Sequence, residues 1–348
     1  MDKPHRLYRI ALDAMGGDFA PLNEIQGAIN AFSNKRSDID FEIIFVGQED
    51  KIKSAMKNMD MKGLKYSILH ADEIVTMEDD PTIALKKKKN SSLYKGLELH
   101  AQGNADAFIS AGNTGAVLST ATILLGRIKG VSRPTIGSFF PSTRELPVLL
   151  LDVGGNVDCK PRFLYEFAVM GSIYFEYMYN IEKPRVGLLN IGEEETKGNE
   201  VVLEALSMLK DSNLNFLGNV EGRDILNAHA DVIVCDGYTG NIVLKFAESV
   251  LGFLKNKFKA FAEKNIFNKL LIASFYPAFK KIFQDMDYQK HGGVPLLGVN
   301  GVTIIGHGKS TPLAIQNMIN RALEQCEKDI NLKIEEALNP QIMSKKEE

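Results

Sequence analysis

The chain has 348 residues, enough to bury a large core in one big or two modest domains. Its 45% hydrophobic and 24% charged content is ordinary for a soluble globular enzyme, and a net charge of −3 speaks against a general nucleic-acid binder, which is usually basic. Three widely spaced cysteines, Cys159, Cys235 and Cys326, indicate neither a disulfide framework nor a zinc site. The N-terminus makes a poor signal peptide, and no run of 18 apolar residues occurs, so a cytoplasmic setting fits.

In chain order, the pattern predicts a strand over 9–12 that breaks into Asp13-Ala14-Met15-Gly16-Gly17-Asp18, then a helix over 21–34. Strands over 41–46 and 65–69 precede a helix over 91–103. A strand over 107–110 runs into Ala111-Gly112-Asn113-Thr114-Gly115 and a helix over 115–127. A strand over 148–151 runs into Asp152-Val153-Gly154-Gly155-Asn156, ahead of a helix over 161–179. A strand over 186–190 runs into the loop 192–199, ahead of a helix over 200–210. Strands over 215–218 and 232–235 follow, the second opening onto Asp236-Gly237-Tyr238-Thr239-Gly240-Asn241 and a helix over 240–259. A strand over 302–305 and a helix over 312–331 come last.

The strand runs are β-branched or continuously apolar, as strands buried on both faces are. Their alternation with helices predicts an α/β fold with a mostly parallel sheet. Glycine lets backbone N–H groups approach an anion, and a helix N-terminus adds partial positive charge. Five small-residue loops are therefore expected to meet at the carboxyl edge of one parallel sheet and hold an anionic substrate. Between 250 and 283, seven lysines and seven phenylalanines accompany a single acid, Glu263. Such a stretch suits an anionic membrane surface, or a helical hairpin packed against the body or a partner subunit.

Nucleotide motifs are absent. No GxGxxG follows any of these strands, and 303–310 reads TIIGHGKS, with threonine where a P-loop needs its first glycine. No His/Cys cluster supports a metal, and no GxSxG elbow supports a serine hydrolase. Phosphate-type loops without a nucleotide motif point to free phosphate or a small phosphorylated ligand.

The stretches IALDAMGGD (10–18), KKNSS (88–92), SAGNTGA (110–116), LLDVGGNVDCKP (150–161), RVGLLNIGEEETKGNE (185–200), NVEGRD (219–224), DGYTGNIVLK (236–245) and GGVPLLGVNG (292–301) stand in one order over nearly the whole chain. Together they resemble the bacterial phosphate acyltransferase family, PlsX. Gly155 replaces the alanine common in that family, a small-for-small change.

The resemblance implies a Rossmann-like sheet sandwiched by helices, similar to phosphate acetyltransferases and isopropylmalate dehydrogenases. It implies a single domain over 1–338 that includes an amphipathic arm over 248–290, with a tail over 339–348. The activity implied is transfer of a long-chain acyl group from acyl carrier protein to inorganic phosphate, with no cofactor or metal. The acyl phosphate product feeds a membrane glycerol-3-phosphate acyltransferase. The resemblance further implies a homodimer that sits peripherally on the membrane.

Phosphate is a competent nucleophile, so the enzyme needs only to position it and stabilise the developing oxyanion. Amide, hydroxyl and backbone donors suit that task, which selects Asn113, Thr114, Asn156, Thr239 and Asn241. Lys197, just before a helix, is the candidate phosphate or oxyanion partner, and Asn241 is placed beside the reacting carbonyl. Asp13, Gly16, Gly17, Gly198, Asn199 and Gly240 complete the candidate set; strand-end aspartates equally suit a capping role. His307 could protonate the leaving thiolate. Lys86–Lys89 forms a solvated face or a dock for an acidic carrier protein. Phe267, Leu271 and Phe275 are the arm's expected membrane or dimer contacts. Rival readings are a coenzyme A-dependent phosphate acetyltransferase, a decarboxylating hydroxyacid dehydrogenase and a non-enzymatic membrane-recruitment protein.

Overall fold

The computed structural model describes residues 6–61, 63–285 and 292–339. Its strands are β1 (Leu7–Asp13), β2 (Asp40–Gly47), β3 (Tyr66–His70), β4 (Ala107–Ser110), β5 (Thr135–Phe140), β6 (Val148–Leu151), β7 (Arg185–Leu189), β8 (Asn215–Val220), β9 (Val232–Val234), β10 (Val294–Leu297) and β11 (Val302–Ile305). Its helices are α1 (Leu22–Ser33), α2 (Glu49–Met56), α3 (Pro81–Lys87), α4 (Ser92–Ala101), α5 (Thr114–Leu124), α6 (Pro161–Tyr179), α7 (Glu200–Lys210), α8 (Gly222–Asn227), α9 (Gly237–Ala262), α10 (Ile266–Asp285), α11 (Pro312–Glu327) and α12 (Ile330–Leu338). All strands join one sheet in the order β3-β2-β1-β4-β11-β10-β5-β6-β9-β7-β8.

The expected α/β architecture is present, but the sheet is not one parallel block. β3, β2, β1, β4 and β11 are mutually parallel, and so are β6, β9, β7 and β8. Between them β10 runs antiparallel to both neighbours, and β5 runs antiparallel to β6, so the two blocks point in opposite directions. The register brings their carboxyl ends together. Ile305, the last residue of β11, pairs with Val294; Leu296 pairs with Ile136; and Gly137 pairs with Leu151, the last residue of β6. Three strand spacings, about 14 Å, separate the two ends.

Helices cover both faces. One apolar layer joins Ile25, Ile29 and Phe41 to Ile315 and Ile319 under α1 and α11; another joins Leu149, Leu151 and Val232 to Phe167 and Tyr174 under α6. The helix expected over 312–331 breaks in two because Asp329 adopts φ 51°. Helix α9 departs from the body. At 26 residues it is about 39 Å long, and only Gly237 and Gly240 in its first turn are buried. With α10 it forms the expected protruding hairpin, stitched by the rings of Phe258 and Phe279 with centroids 5.1 Å apart. Phe267 is 79% exposed, and Leu271 and Phe275 are exposed beside it. Residues 286–290 of the expected arm and 340–348 of the expected tail lie outside the described residues.

Candidate active site

A cavity of about 640 Å³ opens where the two carboxyl edges meet. From the first block come Thr114, Gly115, Ile305, Gly306 and His307; from the second come Val153, Gly154 and Asn241. The rest of the wall is mostly apolar. Strand β5 supplies Ile136, Phe139, Phe140 and Pro141, α8 supplies Ile225 and Leu226, and α9 supplies Val243, Leu244, Ala247 and Leu251. The site is therefore a polar end with a long greasy pocket.

The polar end is built on the N-terminus of α5. Asn113 caps it, its side-chain oxygen accepting from Ala116 N–H at 3.0 Å. The N–H groups of Thr114 and Gly115, in the first turn, have no intrahelical acceptor. His307 lines the same cavity. Its Nδ1 accepts from Lys309 N–H at 3.1 Å, so the neutral ring carries its proton on Nε2. Gly154 lies against Asn241: a Cβ added there would be 3.6 Å from Asn241 Oδ1.

The helix ends around the cavity differ in the charge of their caps. Asp236 caps α9 and accepts from both the N–H and the hydroxyl of Thr239. Helix α8 carries a Glu221–Asp224 capping box. A carboxylate already neutralises each of those dipoles and repels phosphate. The cap of α5 is a neutral amide, with no acid in the first turn.

The structure brings Thr114, Asn241 and His307 together around the cavity. Several other expected site residues have their side chains committed elsewhere. Asp13 is 2% exposed and accepts from Ser110 Oγ at 2.7 Å and from Met15 N–H at 3.1 Å. Burial pushes its carboxyl above the ordinary range, against the pull of the Ser92 and Ser110 hydroxyls. Gly16 packs on Asp13, Ser110 and the Gly112 backbone with no room for a Cβ, and Gly17 packs on the Glu24 carboxyl. The Asn113 amide nitrogen donates to the carbonyls of Thr76 and Asp79. The Asn156 amide donates to Pro134 O and to Asp152 at 2.7 Å each. Gly240 touches the Asp152 carbonyl.

The Lys197 loop follows β7, which is separated from β6 by β9, so it stands about 10 Å further along the sheet. Lys197 is exposed and does not line the cavity; Gly198 takes φ 101°, and Asn199 caps α7. Burial pushes the Cys159 thiol up to about 12, which disfavours the thiolate.

The apolar wall carries no motif, and its α9 stripe at 243, 244, 247 and 251 has the spacing of any core-facing helix. Among the described residues, no group of three or more His, Cys, Asp or Glu side chains is placed to hold a metal.

Residues 8–333 match the family model described as "Fatty acid synthesis protein". A phosphate acyltransferase of Dictyoglomus turgidum is 42% identical over 332 residues, covering 95% of this chain and 98% of its own length. Another, from Chlorobaculum parvum, is 46% identical over 333 residues, covering 93% and 97%. Among solved structures, a phosphotransacetylase from Streptococcus pyogenes superposes with a TM-score of 0.60 at 16% identity, covering 93% of this chain and 94% of that one. The EutD phosphotransacetylase from Staphylococcus aureus gives 0.58 at 16% identity, covering 92% and 94%. These two similarities concern the fold.

Proposed function

The chain belongs to the phosphate acyltransferase family, PlsX, and from that premise we propose that it moves a long-chain acyl group from acyl carrier protein to inorganic phosphate. The observation that carries this reading is the joining of an anion-accepting helix end to an apolar cavity of about 640 Å³. An acetyl group has no use for such a cavity; a fatty acyl chain gains about 0.8 kcal/mol per methylene buried in it.

In this reading phosphate sits on the N–H groups of Thr114 and Gly115, with the helix dipole behind it. The thioester carbonyl lies between Asn241 and His307. A phosphate oxygen bonds to the carbonyl carbon, the C–S bond breaks, and the thiolate leaves. With a thiol pKa near 8.5 it needs little help, and His307, which lines the same cavity, is the side chain assigned to stabilise the oxyanion or protonate the sulfur. The acyl group goes straight to phosphate, with no acyl-enzyme.

The product is a mixed anhydride with an apolar tail, suited to an acyltransferase of phospholipid synthesis at a membrane. No helix among the described residues is long and apolar enough to cross one. The exposed phenylalanines of the α9–α10 hairpin, interleaved with lysines, support peripheral attachment or pairing with a second copy.

The test is phosphate-dependent release of free carrier protein from a hexadecanoyl thioester, with acyl phosphate trapped as hydroxamate. Release that needs phosphate and yields hydroxamate is expected. Activity confined to acetyl-coenzyme A would overturn the donor assignment.

A further inference from the structure

Resting on the reading of the apolar cavity as the acyl site, we propose that Ala247 sets the length of chain this site accepts, by leaving the middle of the cavity open.

Two walls of the cavity begin at the same point. The first turn of α9 is pressed onto the Asp152 carbonyl at Gly240, and Gly154 lies alongside Asn241. Strand β5 starts there too, since Val153 N–H donates to Ile136 O at 3.0 Å. From this end β5 runs to Pro141, where the chain is tied to α8 by Thr143 N–H donating to Leu226 O at 2.9 Å. Pro141 and Leu226 thus mark the far end of the pocket. From Ile136 to Pro141 is five residues of extended chain, about 16 Å. From Asn241 to Leu251 on the facing helix is ten residues, about 15 Å. The two measures agree, and the cavity is a slot that follows both elements.

On the helix wall Val243, Leu244, Ala247 and Leu251 line the slot, with Lys245, Phe246, Glu248 and Val250 of the same helix also bordering the cavity. Ala247 is the smallest of them, packs against the core on its inner side, and stands six residues, about 9 Å, beyond Asn241. Counted along the two elements from Asn241 and Ile136, Leu251, Phe140 and Leu226 lie further out than Ala247, and in this reading they form an apolar chamber for the outer part of a long chain. A bulky side chain at 247 closes that chamber and leaves the polar end untouched. Leucine has nearly the helix propensity of alanine, so the helix tolerates the change.

The experiment uses the full chain and the variants Ala247→Leu and Ala247→Phe. It reads binding of hexadecanoate and octanoate by calorimetry, together with phosphate-dependent turnover of the matching carrier-protein thioesters. Each excluded methylene weakens binding about fourfold, the equivalent of ~0.8 kcal/mol. Ala247→Phe is expected to weaken hexadecanoate on the order of a hundredfold while octanoate and the melting temperature hold, with Ala247→Leu in between. Equal losses at both lengths, or none at either, overturn the proposal. Length-selective binding without phosphate-dependent turnover would strike the acyltransfer reading instead and leave the role of Ala247 standing.

Discussion

Gly240 is packed so closely on Asp152 that a Cβ at position 240 would overlap the Asp152 carbonyl oxygen. Helix α9 and the loop after β6 therefore touch backbone to backbone, and this contact fixes Asn241 beside Gly154. Gly240→Ala must push α9 away from the sheet, an overpacking cost of about 1–3 kcal/mol. Urea unfolding is expected to show that loss, and turnover should fall further than stability because Asn241 moves with the helix.

Thr114→Pro tests the anion site with one backbone atom. Proline is tolerated at the first helical position, and Asn113 already has the extended conformation (φ −62°, ψ 110°) that a following proline requires. The variant loses the N–H proposed to hold phosphate. Hydrogen bonds to charged groups contribute about 1.5–3 kcal/mol, so the KM for phosphate should rise about 10- to 150-fold. Thr114→Ala, which keeps the N–H, should rise far less. Lys197→Ala, at the rim of the second block, should leave that KM within about threefold, as expected of an exposed side chain outside the cavity.

Glu24 is 1% exposed, and one of its oxygens has no hydrogen-bond partner. Burial pushes its carboxyl from 4.5 to about 8, with the Asp13 carboxyl adding to the rise. Because the folded value lies above the unfolded one, the unfolded chain sheds the proton first. This contribution to stability is complete below about 4.5 and declines as pH rises toward about 8. Glu24→Gln should remove the decline, so its unfolding midpoint in urea should gain on the wild type at pH 8 compared with pH 5.

Of the four lysines 86–89, Lys88 is held by the Ile74 carbonyl at 2.9 Å and by Asp79 at 2.5 Å, whereas Lys86, Lys87 and Lys89 are exposed. They flank α5, whose Gly115 packs on Pro81. Changing these three to glutamate should lower kcat/KM on the carrier-protein thioester by at least about tenfold, more at low salt, and barely alter the coenzyme A thioester.

Replacing Phe267, Leu271 and Phe275 together by serine removes three exposed apolar side chains from α10. Sedimentation with anionic vesicles should drop by more than about tenfold. Unchanged sedimentation would assign that face to contact with a second copy.

Nine of the strands are legible from apolar or β-branched runs, which mark buried strands such as β4 and β6 and also the partly exposed edge strands β3 and β8. The two that escape, β5 and β10, are those that reverse the sheet. Gly137 and Ser138 interrupt one, and Pro295 sits in the four residues of the other. Asn113 and Asn156 look like ligands in sequence because an amide in a glycine-rich loop reads the same whether it caps a helix or binds an anion; the partners that consume them come from residues 76, 79 and 134. The chamber beyond Ala247 was hidden for a related reason, since a helix lining a cavity carries the same stripe as one lining a core.

The placement of β10 and β11 has a consequence for biosynthesis. These two strands, from residues 294–305, insert between β4 at 107–110 and β5 at 135–140. Until they arrive, a nascent chain holds two half-sheets with raw edges facing each other, a template for pairing with any neighbouring chain. Closure waits for contacts nearly 200 residues apart in sequence, which makes it slow. His307 is delivered on the heels of β11, so the proposed reaction centre and the seal of the sheet are completed by the same late segment. A chain cut short before Val294 would be both inert and prone to aggregate.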